Sequence, residues 1–480
     1  MSNDLHYLEL VAVARRIKAG ALSPVSLTEA MLQRINKLDG GLKSYATVTA
    51  DLARKQAREA EAEIKRGAWR GPLHGVPIAV KDLCYTKGIP TAAGMAIHKH
   101  FKPDHDSTVV ERFAQAGAVL LGKLQLTEGA FADHHPSIPP PVNPWNEDHW
   151  SGASSSGSGV ATAAGLCFAS LGSDTGGSIR FPSAANGVTG LKPTWGRVSR
   201  YGVFALAESL DHIGPMTRSA ADAAAVLGVI AGADPNDPTA VQHPVPNYLA
   251  GLSRGIRGVR IAVDRDFNTT GVDKDMVKVV DDAIAVLADL GAEIREAKFP
   301  SPDRIVRDWL PLCAVETAVA HETTFPKHAD QYGPGLRGVI ELGRGLSGLD
   351  LTKILIARAA FRGEVEAFFQ DVDLLVIPAQ YAASPTTATM ATLGEDPKAI
   401  EALLRFTSPF DVTGSPTITL PGGFTAKGLP IAFQLVSRSL EEDLLLRAGH
   451  AFQLPADWHK RRPRVCTRNR QRHGLKPPRF

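Results

Sequence analysis

Three short stretches of the sequence combine small residues with side chains able to move protons or attack a carbon atom. They are KDL at residues 81–83, GASSSGSG at residues 152–159 and GSDTGGSIR at residues 172–180. A loop rich in glycine and serine loses much backbone entropy when it becomes ordered. Such a segment is therefore either a turn-rich connection or a loop whose order is required for function.

Lys81 directly follows the apolar, strand-like run VPIAV at residues 76–80. A lysine in this position usually extends its aliphatic chain to solvent. Burial would instead lower the pKa of its amine from about 10.4, and a neutral lysine is a competent base. The spacing alone leaves both interpretations open.

Ser178 follows Gly176 and Gly177 directly, close to a predicted helix start. Backbone N–H groups in such a loop can point together at one oxygen atom, as an oxyanion hole requires. Asp174 and Arg180 can hold the same loop by an ion pair. This stretch therefore predicts stabilisation of a negative charge that develops on a carbonyl oxygen.

Other chemistries fit the sequence less well. No lysine follows the glycines of GASSSGSG as in a phosphate-binding P-loop, and GLSRG around Ser253 precedes a strand, whereas a nucleophile elbow follows one. The HKH sequence at residues 98–100 and the pair His134 and His135 lack the HExxH spacing of a zinc site. We therefore expect neither a metal ion nor another cofactor.

Composition and charge restrict the class of protein. The chain has 480 residues, of which 44% are hydrophobic and 21% charged, as is ordinary for a globular protein. The net charge is +3, but residues 459–480 contain nine Lys or Arg and no acid, so the preceding chain is acidic. We expect these residues to form a disordered basic tail rather than a nucleic-acid site.

The sequence shows neither a secretory signal nor an apolar run long enough to span a membrane. Its four cysteines, Cys84, Cys167, Cys313 and Cys466, are far apart and form no CxxC pair. We therefore expect a reduced, cytoplasmic protein that binds no membrane.

Helical and strand-like segments alternate along most of the chain, which predicts an α/β fold with helices on both faces of a sheet. We expect residues 1–67 to be a helical segment packed on the core, and residues 68–458 to form one large α/β domain. The predicted strands include residues 76–80, 118–122, 258–263 and 373–379.

Lys81 in KDL, Ser154 in GASSSGSG and Ser178 in GSDTGGSIRFP resemble the Ser-cisSer-Lys triad of the amidase signature family. The resemblance continues through NPWN, GVTGLKPTWGRVSRYGV and SLDHIGPMTRSAADAA and covers roughly residues 5–455. It implies a single large domain whose mixed central β-sheet is covered by helices on both faces.

By this resemblance, Ser178 is the nucleophile, and Ser154, which follows a cis peptide bond from Ala153, passes its proton to a neutral Lys81. The implied oxyanion donors are the backbone N–H groups of Thr175, Gly176, Gly177 and Ser178, and the implied supporting residues are Ser155, Asp174 and Arg180. The chain departs from the family's usual GGSSGG at Ala153 and Ser156, and neither change removes a catalytic atom.

The family also includes the A subunit of the glutamyl-tRNA amidotransferase, which hydrolyses glutamine and passes ammonia to a partner. Phe181 stands where that subunit typically has glutamine, and residues 126–145 lack its polar pattern. We therefore expect a stand-alone hydrolase of small amides with an apolar or aryl portion; anilides, carbamates and some esters are candidate substrates. The amidotransferase subunit and a catalytically silent binding protein stay open as alternatives.

The candidate walls of an apolar substrate pocket are Phe131, Ile138, Phe181 and the run Pro139–Pro141. The alternative, that the prolines only stiffen a surface loop, is equally open. As partners we expect a small-molecule amide or carbamate substrate, no nucleic acid and no membrane, and we leave a homodimer open.

Overall fold

Eleven strands form one sheet that runs through the protein, and the computed structural model describes residues 5–465. In chain order the strands are β1 Tyr45–Val48, β2 Pro77–Lys81, β3 Val119–Leu124, β4 Ala169–Asp174, β5 Thr189–Lys192, β6 His212–Thr217, β7 Arg260–Val263, β8 Glu293–Glu296, β9 Leu374–Pro378, β10 Thr417–Phe424 and β11 Pro430–Ser437.

Helices connect the strands and cover the sheet. In chain order they are α1 Leu10–Lys18, α2 Pro24–Leu42, α3 Ala50–Lys65, α4 Thr108–Gln115, α5 Ser156–Ala163, α6 Arg180–Asn186, α7 Ala220–Ile230, α8 Tyr248–Gly251, α9 Arg265–Thr269, α10 Lys274–Asp289, α11 Asp303–Ala320, α12 Pro334–Gly345, α13 Gly348–Asp371, α14 Thr387–Leu393, α15 Pro397–Leu404, α16 Ser408–Thr413 and α17 Glu442–Gln453.

The sheet is mixed, with the spatial order β1-β3-β2-β4-β6-β5-β10-β11-β9-β7-β8. Parallel pairs join β2 to β3 and β4, and β7 to β8 and β9, while the other neighbours are antiparallel. Every residue of β2, β3, β4 and β9 is buried, as expected for strands covered on both faces. The predicted α/β fold with a mixed central sheet is confirmed.

The N-terminal segment differs from the helical prediction at one point. Strand β1 separates α2 from α3 and pairs with β3, so this segment supplies an edge strand of the sheet. The strand has only four residues, YATV, and its side chains are alternately half-buried and exposed. A run this short gives too little periodicity to be distinguished from a connection between helices.

The sequence analysis also did not predict two central strands, β5 and β6. The β6 sequence HIGPMT contains a glycine and a proline, which are depleted in strands, and β5 has four residues. The two strands pair with each other, β6 also pairs with β4 and β5 with β10, and this pairing holds both in the sheet. The tertiary context therefore overrides a weak local propensity.

The prediction of a disordered tail is wrong for the first residues of that segment. His459 is buried, and its Nε2 lies 3.7 Å from the carboxylate of Glu9. The first residues of that segment therefore pack against the N-terminal part of the chain, whereas residues 466–480, with Cys466, lie outside the described residues. Among the described residues, no helix has the length and apolar character needed to cross a membrane.

Candidate active site

Lys81 is the last residue of β2, and its side chain is 0% exposed. β2 lies between β3 and β4, and the amine of Lys81 contacts three hydroxyl oxygens. The distances from Nζ are 2.6 Å to Ser154, 2.9 Å to Ser155 and 2.8 Å to Ser173. This geometry excludes the alternative in which Lys81 extends to solvent.

Burial lowers the pKa of the Lys81 amine from 10.5 to about 7, because the surrounding protein solvates an ammonium ion less well than water does. The carboxylates of Asp174 and Asp211 oppose this effect and favour the charged form. The amine is therefore neutral in a substantial fraction of molecules at neutral pH.

The three hydroxyl groups around Lys81 differ in whether they can donate a proton to the amine or only accept a hydrogen bond from it. The Ser155 hydroxyl donates to the Ser173 carbonyl at 3.2 Å, so it can only accept a hydrogen bond from Lys81. A neutral amine has two N–H groups and one lone pair. If Ser155 and Ser173 accept the two N–H groups, the lone pair is left for the proton of Ser154, which is the nearest of the three oxygens.

The Ser154 side chain projects from a tight loop before α5. Gly152 has φ +82°, and a Cβ there would lie 2.4 Å from the Cα of Pro182, so only glycine fits. The peptide bond between Ala153 and Ser154 is cis, as the resemblance implies. The backbone of Ser155 donates to the carbonyl of Ser178 at 3.3 Å, which joins this loop to the loop of the expected nucleophile.

The expected nucleophile Ser178 is half-buried in the connection between β4 and α6. Among the described residues its hydroxyl has no side-chain hydrogen-bond partner, and no hydrogen bond joins it to Ser154. By contrast, each of the four backbone carbonyl groups of residues 175–178 accepts a hydrogen bond. Their donors, in order, are the indole N–H of Trp309 at 2.8 Å, the hydroxyl of Thr407 at 2.7 Å, the backbone of Phe181 at 2.7 Å and the backbone of Ser155 at 3.3 Å.

The backbone N–H groups of the same loop are mostly unpaired. Those of Thr175, Gly176 and Ser178 have no hydrogen-bond partner within the described chain, whereas Gly177 donates to the carboxylate of Asp174 at 2.7 Å. The expected set of four oxyanion donors is therefore wrong at Gly177, because Asp174 already occupies this N–H. The other three N–H groups are available to a ligand oxygen.

Asp174 and Arg180 form the expected ion pair, with two hydrogen bonds of 3.0 and 2.8 Å. Burial opposes ionisation of Asp174, but Arg180 outweighs it and lowers the pKa of this carboxyl group. Arg180 also donates to Asp411 at 2.6 Å, and burial raises the pKa of that second carboxyl group. Sequence reasoning missed Asp411, which is 231 positions from Arg180 and carries no local signal.

Ser156, one of the two departures from the family pattern, is buried beside a histidine. Its hydroxyl lies 3.3 Å from Nε2 of His134, and burial lowers the pKa of that imidazole to about 4. His134 is therefore neutral at neutral pH. Within residues 5–465, no three His, Cys, Asp or Glu side chains are placed to bind a metal ion together.

A cavity of about 400 Å³ opens beside the Lys81 network, which consists of Lys81 and the hydroxyl groups of Ser154, Ser155 and Ser173. It reaches Ser173, which contacts Lys81, and Asp211, which accepts a hydrogen bond from the Thr175 hydroxyl at 2.6 Å. Much of its remaining wall is aromatic or apolar and includes Tyr85, Tyr201, Val203, Phe204 and Leu206.

The expected pocket residues lie elsewhere and do not line this cavity. Phe181 is buried against Trp150, with ring centroids 5.8 Å apart, and Phe131 packs partly buried on the core. Ile138 lies in a largely exposed loop with Pro139 and Pro140. A substrate pocket at these residues therefore stays a prediction, since an apolar composition does not specify which surface a loop faces.

Comparison with known proteins identifies the class to which this fold and site belong. The family model named Amidase matches residues 26–446, so the chain belongs to the amidase signature family and is a C–N bond hydrolase. A protein of Mycobacterium tuberculosis (strain ATCC 25618 / H37Rv), provisionally named amidase AmiD, is 50% identical over 458 residues, which cover 95% of this chain and 96% of the relative.

Two further relatives show the breadth of this family. The A subunit of the glutamyl-tRNA(Gln) amidotransferase from Roseiflexus sp. (strain RS-1) is 38% identical over 488 residues, which cover 96% of this chain and 98% of the relative. The solved structure of the peptide amidase from Stenotrophomonas maltophilia matches with a TM-score of 0.81 at 31% identity, covering 95% of this chain and 98% of that one.

Proposed function

We propose that this protein hydrolyses small amides with an apolar or aryl portion, through an acyl-enzyme formed on Ser178. The observation that supports this most directly is the buried amine of Lys81, 2.6 Å from the Ser154 hydroxyl and with its pKa lowered to about 7. General base catalysis is most effective when the pKa of the base lies near the working pH.

In the acylation step, the Ser178 hydroxyl turns toward Ser154, and its oxygen attacks the carbonyl carbon of the amide. The Ser178 proton passes to the oxygen of Ser154 while the Ser154 proton passes to the lone pair of Lys81. The carbonyl oxygen gains a negative charge, which the unpaired N–H groups of Thr175, Gly176 and Ser178 are available to stabilise.

The tetrahedral intermediate collapses when its C–N bond breaks. The proton returns from Lys81 through Ser154 to the leaving nitrogen, which departs as a neutral amine, and the acyl group stays on Ser178 as an ester. Water then attacks this ester while the same relay takes its proton. The C–O bond breaks, the carboxylic acid leaves, and the Ser178 hydroxyl is restored.

The cavity beside Ser173 supports a substrate with an apolar or aryl portion. Its aromatic wall fits a ring or an alkyl chain, and two of the charged groups that line it, Asp211 and Arg200, already have partners. The carboxylate of Asp211 accepts hydrogen bonds from Thr175, Leu206 and Ala207. The guanidinium of Arg200 donates to the Asp211 carbonyl at 3.3 Å and stacks on a tryptophan ring. Neither group is free to bind the charged ends of glutamine.

We further infer that the enzyme acts alone on a small-molecule amide or carbamate, in the cytoplasm, without nucleic acid or membrane. The described cysteines, Cys84, Cys167 and Cys313, are buried and free, which fits a reducing compartment. The alternative, a glutamine-hydrolysing A subunit of a tRNA-dependent amidotransferase, has the 38% identical relative in its favour.

A substrate panel tests this proposal. The purified protein is incubated, without tRNA or a second protein, with an aliphatic amide, an anilide, an aryl carbamate, a phenyl ester and glutamine. We expect release of amine from the anilide and an acyl adduct on the Ser178 peptide by mass spectrometry. Ser178→Ala removes both signals, and Ser253→Ala, which changes an exposed serine of the discarded GLSRG motif, retains both. Turnover of glutamine alone would contradict the proposed substrate class.

A further inference from the structure

The loop of residues 175–178 is contacted by a tryptophan from a helix far along the chain. The indole N–H of Trp309, on α11, donates to the carbonyl of Thr175 at 2.8 Å. Trp309 is 8% exposed, and its ring lies against Gly176: a Cβ at Gly176 would be 2.3 Å from Cζ2 of the indole. Trp309 is thus both a hydrogen-bond partner and a wall of this loop.

The hydrogen bond from Trp309 to the Thr175 carbonyl determines where the N–H of Gly176 points. The Thr175 carbonyl and the Gly176 N–H belong to the same trans peptide, so they point in opposite directions. A carbonyl held by Trp309 directs the N–H of Gly176 away from α11. Gly176 is buried, and its N–H has no partner within the described chain. Leaving a buried N–H without a hydrogen-bond partner costs free energy. We therefore infer that this N–H is positioned to donate to a ligand oxygen.

A second set of contacts fixes the same residue. The Thr175 hydroxyl donates to Asp211 at 2.6 Å, and Asp211 belongs to the segment that follows Ser209. Helix α11 also reaches this segment, because the carboxylate of Glu316 accepts the backbone N–H of Ser209 at 2.8 Å. Thr175 is therefore held at its carbonyl by α11 and at its hydroxyl by a segment that α11 supports.

We propose that Trp309 is a positioning residue for the oxyanion hole, because its indole N–H orients the peptide between Thr175 and Gly176 toward the reacting carbonyl oxygen. This rests on the proposed amide hydrolysis, in which that oxyanion forms. Thr407 has a different position: it holds the Gly176 carbonyl and so directs the N–H of Gly177, which Asp174 already occupies.

The variant Trp309→Phe tests this role, since it keeps an aromatic ring and removes the N–H. We expect kcat on an anilide to fall about 10- to 100-fold, somewhat less than the loss of a whole oxyanion donor, while KM changes by less than about twofold. Phenylboronic acid, which forms a tetrahedral adduct with a serine, should lose affinity in parallel with kcat. Trp309→Tyr, which also lacks the indole N–H, repeats the measurement if Trp309→Phe does not fold.

Trp145→Phe is the matched control. It removes an indole N–H that donates to a backbone carbonyl, that of Asn186, at the same distance of 2.8 Å but outside the described network of Lys81. We expect it to leave kcat and boronate affinity unchanged. Unchanged kcat in Trp309→Phe, a rise in KM alone, or loss of the fold in both Trp309 variants overturns the proposal.

The outcome also separates this proposal from the proposed function. If the wild-type protein hydrolyses no amide but binds phenylboronic acid, the function fails, and the boronate affinities of the Trp309 variants still test the positioning role. If the wild-type protein neither hydrolyses an amide nor binds the boronate, both proposals are wrong.

Discussion

The amine nitrogen of Lys81 lies 2.6 Å from the hydroxyl oxygen of Ser154, although 73 positions separate the two residues in the chain. The end of β2 supplies the first side chain and the loop before α5 supplies the second, and both are buried. Because water is excluded from this pair, burial lowers the proton affinity of the amine, and the nearby carboxylates of Asp174 and Asp211 only partly oppose this effect.

This environment predicts the pH dependence of catalysis. The pKa of Lys81 is lowered to about 7, and only its neutral form accepts a proton. We therefore expect kcat/KM on an anilide to rise with pH up to about 7 and to be constant at higher pH. A profile measured from acidic to mildly alkaline pH checks this, and a profile without a change near pH 7 would contradict the role of Lys81.

Removal of the base gives the complementary result. We expect Lys81→Met to lower kcat/KM by about 10²- to 10⁴-fold, the usual contribution of a general base. Hydroxide can replace the missing base in part, so the loss should be larger at low pH than at high pH. Near-normal rates of the variant at neutral pH would show that another group accepts the proton.

Phe204 should determine how well aryl substrates are hydrolysed. It lines the cavity that reaches Ser173, so Phe204→Ala removes apolar contact with a ring but not with a very small amide. Loss of about 1–3 kcal/mol of such contact corresponds to roughly a 10- to 200-fold lower kcat/KM on an anilide. Acetamide, which leaves the cavity largely unfilled, should be affected little.

Ile138→Ala is the control for the cavity, because it changes a residue on the loop where the sequence predicted the pocket. Its kcat/KM values for both substrates should equal those of the wild-type protein. An equal loss on anilide and acetamide in Phe204→Ala would place the aryl group elsewhere.

Arg180 should matter for stability as well as for activity. It is fully buried and pairs with Asp174 and Asp411, so Arg180→Met leaves two buried carboxyl groups without their cation. Breaking a buried ion pair in this way costs about 3–5 kcal/mol. Urea unfolding of the wild-type and variant proteins measures this difference.

A surface ion pair provides the comparison. Arg265 contacts Asp281 at 2.7 Å, but both side chains are about half exposed. Arg265→Met should change the free energy of unfolding by at most about 1 kcal/mol. If Arg180→Met were equally mild, the buried cluster would not be what holds the nucleophile loop.

Gly176 should tolerate no side chain. A Cβ there would lie 2.3 Å from the indole ring of Trp309, so Gly176→Ala must displace either the loop or the ring. We expect at least about a 100-fold loss of kcat, comparable to the loss of an oxyanion donor. Gly338→Ala, on α12 where nothing lies within 4 Å of a new Cβ, should retain full activity. Normal kcat in Gly176→Ala would contradict the assigned geometry.

Much of the fold and the centre of the site could be predicted from the sequence, because their signals are local. Apolar runs predicted β2, β3, β7 and β9, and the resemblance of the small-residue motifs to the amidase signature family predicted the grouping of Lys81 with Ser154 and Ser155. The ion pair between Asp174 and Arg180 was also expected, since six positions separate its partners.

The remaining contacts depend on chain segments that only the fold brings together. Trp309 and Thr407 bind the nucleophile loop across 134 and 231 positions, and nothing in their own surroundings in the sequence indicates this. The cavity that reaches Ser173 depends on the fold in the same way. Residues 131–141 are apolar enough to form a pocket wall, but the arrangement of neighbouring elements leaves much of this loop exposed.

The distribution of these contacts along the chain has a consequence for biosynthesis. Lys81, Ser154 and Ser178 leave the ribosome long before Thr407 and Asp411. Thr407, just before α16, binds the Gly176 carbonyl, and Asp411, on α16, binds Arg180 at the end of the nucleophile loop. A nascent chain therefore carries all three proposed reactive side chains without the scaffold that orders them. The ability to cleave amides would appear only near the end of translation, when β10 reaches β5 and closes the two halves of the sheet.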